Sequence, residues 1–128
     1  MTFFFDNCIS PKHVEMLRVF KQDVCHLGES FSGNTPDEVW IPEVAKRGWV
    51  LVTIDRNIKA RPHERLALQQ SKLTSFFLIK GFESQKLLAF AAALLDVWPH
   101  IVAAAEQAQP GSLYSVTFKG KVEPIPFR

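Results

Sequence analysis

Cysteine is scarce in this chain: Cys8 and Cys25 are the only two, 17 residues apart, with no CxxC motif and no short His/Cys cluster. A zinc site or a disulfide framework is therefore not expected. The chain also has little charge imbalance. A formal net charge of +2 gives no global pull on a polyanion, so any argument for such a partner has to be local. Long apolar runs are missing too. The most apolar stretch, Leu87 to Leu95, is too short to cross a bilayer, and no signal-peptide pattern precedes the first strand-like run. The expectation is a soluble, reduced, cytoplasmic protein without a membrane partner. Its 128 residues, 47% of them hydrophobic, suit one domain over 1–128 with a sizeable core.

The stretch that organises the rest is Trp49 to Asn57, WVLVTIDRN, in which five of the first six residues are apolar. Such a run reads as a strand buried on both faces. It ends in Asp55, followed by Arg56 and Asn57. Ligands of open α/β sheets bind beyond the carboxyl ends of the strands, so this carboxylate faces a candidate site.

Two other stretches bring acids to the same region. Thr2 to Phe5 reads as a first buried strand ending at Asp6, although an Asp there also suits a turn or a helix cap. Ser10 and Pro11 then open a helix to Lys21 with apolar Val14, Leu17, Val19 and Phe20. A short strand, Asp23 to Leu27, contains His26, a lone histidine more readily explained by local hydrogen bonds than by ligation. A loop from Gly28 to Asn34 follows, with Phe31 tucked down. Thr35 and Glu38 have the spacing of a capping box, with Pro36 in the first turn of a helix that reaches about Lys46 and closes at Gly48. Val39, Trp40, Ile41, Val44 and Ala45 form its packing face. Asp37 shares that inward edge at the first turn, whereas Glu38 is the acid placed to complete the box.

After Asp55 the chain turns basic, with Arg56, Lys59, Arg61, Arg65 and Lys72 around His63. Arg and Lys beside a strand-end carboxylate suit phosphate oxygens. Pro62 to Gln70 reads as a helix and Thr74 to Ile79 as a buried strand. Ser84 to Trp98 reads as a long apolar helix, interrupted at Pro99 and resumed from His100 to Ala108. Two strands, Tyr114 to Lys119 and Lys121 to Ile125, form a C-terminal hairpin.

This alternation predicts a mainly parallel sheet with helices on both faces, and a 2-1-3-4 strand order puts the switch point between the first and third strands. Asp6 and Asp55 then share a crevice that Asp37 enters from a helix start. Carboxylates without His or Cys favour a hard cation, Mg2+ or Mn2+, and the matching chemistry is phosphodiester hydrolysis.

FFFDN near the start, TPDEVW at a helix opening and GWVLVTIDRNIK together resemble the PIN-like nucleases, particularly the short bacterial ones, over roughly the first 80 residues. The resemblance implies a single PIN-like domain of three layers, α/β/α, and a magnesium-dependent ribonuclease, commonly the toxin of a toxin–antitoxin pair. It implies metal ligands at Asp6, Asp37 and Asp55, with Glu38 as a substitute for Asp37. Asn57 stands where related sequences often carry a further acid; it offers a carbonyl oxygen without charge, which weakens a second cation site. Asn7 likewise stands where a Glu often follows the first Asp. RNA is the expected substrate, with Arg56, Lys59, Arg61 and Arg65 on its phosphates. An antitoxin is the expected partner, and the apolar helix suits a homodimer.

Two alternatives carry different signatures. A PIN-like domain that binds without hydrolysing would ignore added magnesium. A phosphoacceptor receiver-like domain would be phosphorylated on Asp55, but the acidic pair after the first strand, the Ser or Thr at the end of the fourth and the Lys-Pro after the fifth that receivers carry do not occur here, where Asp6-Asn7 and Ile79-Lys80 stand in the first two places.

Overall fold

The structure is a computed structural model that describes residues 1–54, 62–79 and 81–125, without the side chains of residues 62–65 and 69. Six strands form one sheet in the order β2-β1-β3-β4-β5-β6, where β1 is Phe3–Phe5, β2 Val24–His26, β3 Val50–Ile54, β4 Ser75–Leu78, β5 Leu113–Val116 and β6 Val122–Ile125. The first five are parallel to their neighbours, and β6 turns back antiparallel on β5 as the expected hairpin. The helices are α1 Pro11–Val19, α2 Leu27–Ser30, α3 Asp37–Lys46, α4 Pro62–Ser71 and α5 Leu87–Gln107.

Side-chain alternation along the strands divides the core into two layers. Phe3 and Phe5 of β1, Val50, Val52 and Ile54 of β3, and Phe76 and Leu78 of β4 pack with Val14 and Leu17 of α1 and Phe90, Leu94, Val97, Trp98 and Ile101 of α5. Phe4, Leu51 and Phe77 face the other way, onto Trp40, Ile41 and Val44 of α3 and Leu68 of α4. The fold is therefore the three-layer α/β/α arrangement expected, with a mostly parallel sheet.

Several local expectations need correction. The capping box at Thr35 and Glu38 does not form. Pro36 occupies the N-cap with extended backbone and α3 has no side-chain cap, because the helix starts one residue later, at Asp37. A capping box does occur at α2, where the Glu29 carboxylate accepts the His26 N–H at 2.8 Å and the His26 ring accepts the Gly28 N–H at 3.1 Å. That box turns residues 27–30 into a short helix instead of strand end and loop.

Pro99 does not interrupt α5, which runs unbroken for 21 residues. Proline removes the bond to the carbonyl of residue 95, and Leu95 and Pro99 both face outward, so that carbonyl meets solvent. Pro42 is accommodated in α3 in the same way, above an exposed Glu38. Continuity through Pro99 also makes α5 long and apolar enough to cross a membrane by length and composition, contrary to the reading of residues 87–95 alone. Its Phe90, Leu94, Val97, Trp98, Ile101 and Ala105 are nevertheless buried in the protein.

Finally, Val19, Phe20 and Val39 do not join the core. They are 76%, 58% and 56% exposed, while His13 lies inside with Val14 and Leu17. Gly48, at φ +74°, ends α3 in the left-handed conformation that glycine accommodates without strain.

Candidate active site

β1 and β3 are the neighbours at which the strand order reverses, so the crevice beyond their carboxyl ends is the expected binding position of an open α/β sheet. Asp6 directly follows β1. Alternation puts it on the side of Phe4, facing α3, and Thr53 of β3 has the same parity as Leu51. The two meet across the strands: the Thr53 hydroxyl donates to Asp6 Oδ2 at 2.6 Å, and the Cys8 N–H donates to Oδ1 at 3.2 Å. With one donor on each oxygen, the carboxylate plane is fixed. Each oxygen keeps lone-pair capacity for another partner.

Asp6 is only 8% exposed. Burial pushes its carboxyl up from the ordinary 3.8 to about 6; the hydrogen bonds from Thr53 and Cys8 oppose that push, the charge of Asp37 adds to it and His26 lowers it. Asp37 is therefore near enough for its charge to act on Asp6. It is the first residue of α3, and the indole N–H of Trp40, one turn on, donates to its Oδ1 at 2.9 Å. Trp40 is buried against Phe4, so the donor comes from the core itself. The loop before α3 is tied to the end of β1 by Asn7, whose amide donates to the Gly33 carbonyl at 2.8 Å.

His26 takes no ligand role in this geometry. Its Nε2–H donates to the Ile9 carbonyl at 2.8 Å and its Nδ1 accepts the Gly28 N–H, so both ring nitrogens are used. Glu38 is exposed and lines a groove of about 350 Å³ with Pro42, Leu66, Ala67, Gln70 and Ser71, between α3 and α4. Phe31 does tuck its loop down, edge-on to Phe4 with Arg47 above it.

The structure thus brings Asp6 and Asp37 together. Asp55, Arg56, Asn57, Lys59 and Arg61 lie outside the described residues; Arg65 belongs to α4, but its side chain also lies outside them. Among the described residues no group of three His, Cys, Asp or Glu gathers to hold a metal, and what is described of the site is an acidic pair. The donors of that pair are all carboxylate oxygens, and their charges oppose each other. Both properties suit a hard divalent cation.

Thr53 entered the sequence reading only as part of a strand. The signal that could have exposed its role was parity: a hydroxyl in a run of buried aliphatics, on the face where Asp6 emerges. Trp40 was read as packing alone, yet its N–H is what holds Asp37.

A sequence model of the family described as PIN like domain matches residues 1–80. No curated protein and no solved structure matches the chain.

Proposed function

The chain belongs to the PIN-like domain family, and from that premise we propose that it is a metal-dependent endoribonuclease. Domains of this family are commonly metal-dependent nucleases. The observation that carries the proposal is the buried Asp6 carboxylate at the β1/β3 switch point, fixed by Thr53 and Cys8 and repelled by Asp37. A cation would relieve that repulsion.

Asp6 and Asp37 would hold Mg2+ or Mn2+ together with Asp55, with Glu38 as a substitute ligand and Asn57 offering a carbonyl oxygen. When bound, such an ion activates water for attack on phosphorus and stabilises the leaving oxygen. The chain's own part is positioning. Thr53 and Cys8 hold Asp6 in one orientation, Trp40 holds Asp37, and Asn7 secures the loop that leads to it. Arg56, Lys59, Arg61 and Arg65 supply cations for the RNA phosphates. In this reading the protein is a cytoplasmic toxin of a toxin–antitoxin pair, with an antitoxin as protein partner and the outward apolar residues of α5, Leu88 foremost, available for a homodimer.

The test is cleavage of a mixed RNA pool by the purified protein in Mg2+ or Mn2+ against EDTA, alongside Asp55→Asn. Metal-dependent cutting that the substitution removes supports the proposal. RNA binding without cutting in any metal would overturn it in favour of a PIN-like domain that binds only, the reading that Asn57 in place of an acid favours.

A further inference from the structure

A second cavity adjoins the acidic pair on the opposite face of the sheet. It has a volume of about 190 Å³ and lies at the same carboxyl edge, between the start of α1 and the start of α5. It shares a wall with the acid site. Cys8, which donates its N–H to Asp6, lines the cavity, and so does Ile54, whose neighbour Thr53 donates to the same carboxylate.

His13 gives this cavity a polar edge. It is the third residue of α1 and only 4% exposed, and its imidazole makes no hydrogen bond among the described residues. It stacks on Phe90 at 4.6 Å and 23°, and Phe82 stands edge-on to Phe90 at 5.5 Å. No buried side-chain nitrogen or oxygen among the described residues is left without a hydrogen bond, so the unbonded ring nitrogens of His13 are reached from the cavity, and an imidazole edge open to a cavity is free to meet a ligand. Burial lowers its pKa, so the ring is neutral near pH 7 and offers one donor and one acceptor. Gln85 adds an amide and Glu83 a carboxylate at the mouth.

These features select among ligands. A neutral imidazole beside a carboxylate does not suit a phosphate, and the N–H groups of Lys12 and His13 at the start of α1 are already bonded to Ser10. The volume is below the roughly 300 Å³ at which pockets for drug-sized ligands begin, so the space suits one planar ring system. Aromatic walls with amide, carboxylate and imidazole groups are what proteins use to take up an unstacked base of single-stranded RNA and read its edge. We propose that this cavity is a nucleobase subsite, holding a base next to the phosphodiester cut at Asp6 and Asp37, with His13, Gln85 and Glu83 on its edge. The choice of RNA rests on the ribonuclease reading.

The experiment titrates the full chain in EDTA with each of the four ribonucleoside 5′-monophosphates, and with ribose 5-phosphate as a control lacking a base. The readout is the 15N resonances of the His13 imidazole. At least one nucleotide should move them while ribose 5-phosphate does not, and Gln85→Ala and Glu83→Ala, both at the mouth, should weaken that nucleotide roughly fivefold or more. A shift of equal size with ribose 5-phosphate, or no shift with any nucleotide, overturns the subsite. Nucleotide-dependent shifts in a protein that cuts no RNA in any metal would uphold it and sink the nuclease reading alone. Metal-dependent cutting without base preference and without any His13 shift would do the reverse.

Discussion

The two faces of the sheet are built from the same strands and differ at one end. Towards α1 and α5 the inward residues stay apolar to the last position: Phe3 and Phe5 on β1, then Val50, Val52 and Ile54 on β3. Towards α3 and α4 the apolar series Phe4 and Leu51 gives way to Asp6 and Thr53. Both faces are equally buried there, so the contrast is one of chemistry and not of exposure. The polar end is tolerated because each group is partnered; among the described residues no buried side-chain nitrogen or oxygen lacks a hydrogen bond. One face therefore supplies cohesion, and the other gives up some of it to hold a charge where the strands end.

Truncating the apolar face should have the largest effect on stability. Phe5 is fully buried and stacked on Trp98 at 5.8 Å, so Phe5→Ala is expected to lower unfolding free energy by about 3–5 kcal/mol. Urea denaturation in EDTA measures this; a loss below 1 kcal/mol would mean that the two faces do not divide the work as described.

Asp6→Asn should act in the opposite direction on the other face. The native carboxyl is raised from 3.8 to about 6, so between those values the folded state binds more protons than the unfolded chain. Stability contributed by this group is full below about pH 4 and is lost as pH rises towards 6, a difference of about 3 kcal/mol from the linkage relation. Asparagine keeps an acceptor for the Cys8 N–H, and its amide can donate to the Thr53 hydroxyl. Without metal the variant should match the parent near pH 4 and exceed it at pH 8 by up to about 3 kcal/mol, while RNA cleavage falls about 100-fold or more. Parallel stability curves for the two proteins across that range would refute the buried charge.

How far this division could be read from sequence depends on the kind of signal. The sheet was legible because FFF and VLVTI are short apolar runs that end at acids, and its mainly parallel character followed from the alternation with helices; the 2-1-3-4 order was an assumption that the structure bears out. The opening of α1 was legible from Ser10, whose hydroxyl accepts the Lys12 N–H at 3.2 Å. What stayed hidden needs three dimensions. Thr35 and Glu38 had the spacing of a capping box, but spacing does not reveal that the helix starts at Asp37; the box forms instead through a histidine side chain at His26. Pro99 looked like a break because sequence does not show that its missing hydrogen bond faces solvent. Apolarity alone did not separate Val14 and Leu17, which pack inward, from Val19 and Phe20, which stay exposed, and His13 went unremarked although the helix turns it inward with Val14 and Leu17. Of the site, Asp6 and Asp37 were found as acids, whereas Thr53 and Trp40 were missed because their parts are played by one hydroxyl and one N–H on side chains that also pack.

Thr53→Val asks whether the polar end of the second face works as a unit. Valine keeps the branched shape in a fully buried strand position and removes only the donor to Asp6 Oδ2. That hydrogen bond favours the charged carboxylate, so its loss should raise the Asp6 pKa above about 6 and extend the fall in stability to higher pH. Near pH 4, where Asp6 is protonated in both proteins, the difference should be small. At pH 8 it should reach about 1.5–3 kcal/mol, the range for hydrogen bonds to charged groups. Cation affinity, read by Mn2+ titration, should fall roughly tenfold, as it does when a group that orients a ligand is removed. A loss equal at both pH values would mean that Thr53 serves packing alone and that the carboxylate is fixed without it. A loss confined to high pH, with weaker Mn2+ binding, would show that the hydroxyl and the carboxylate form one device.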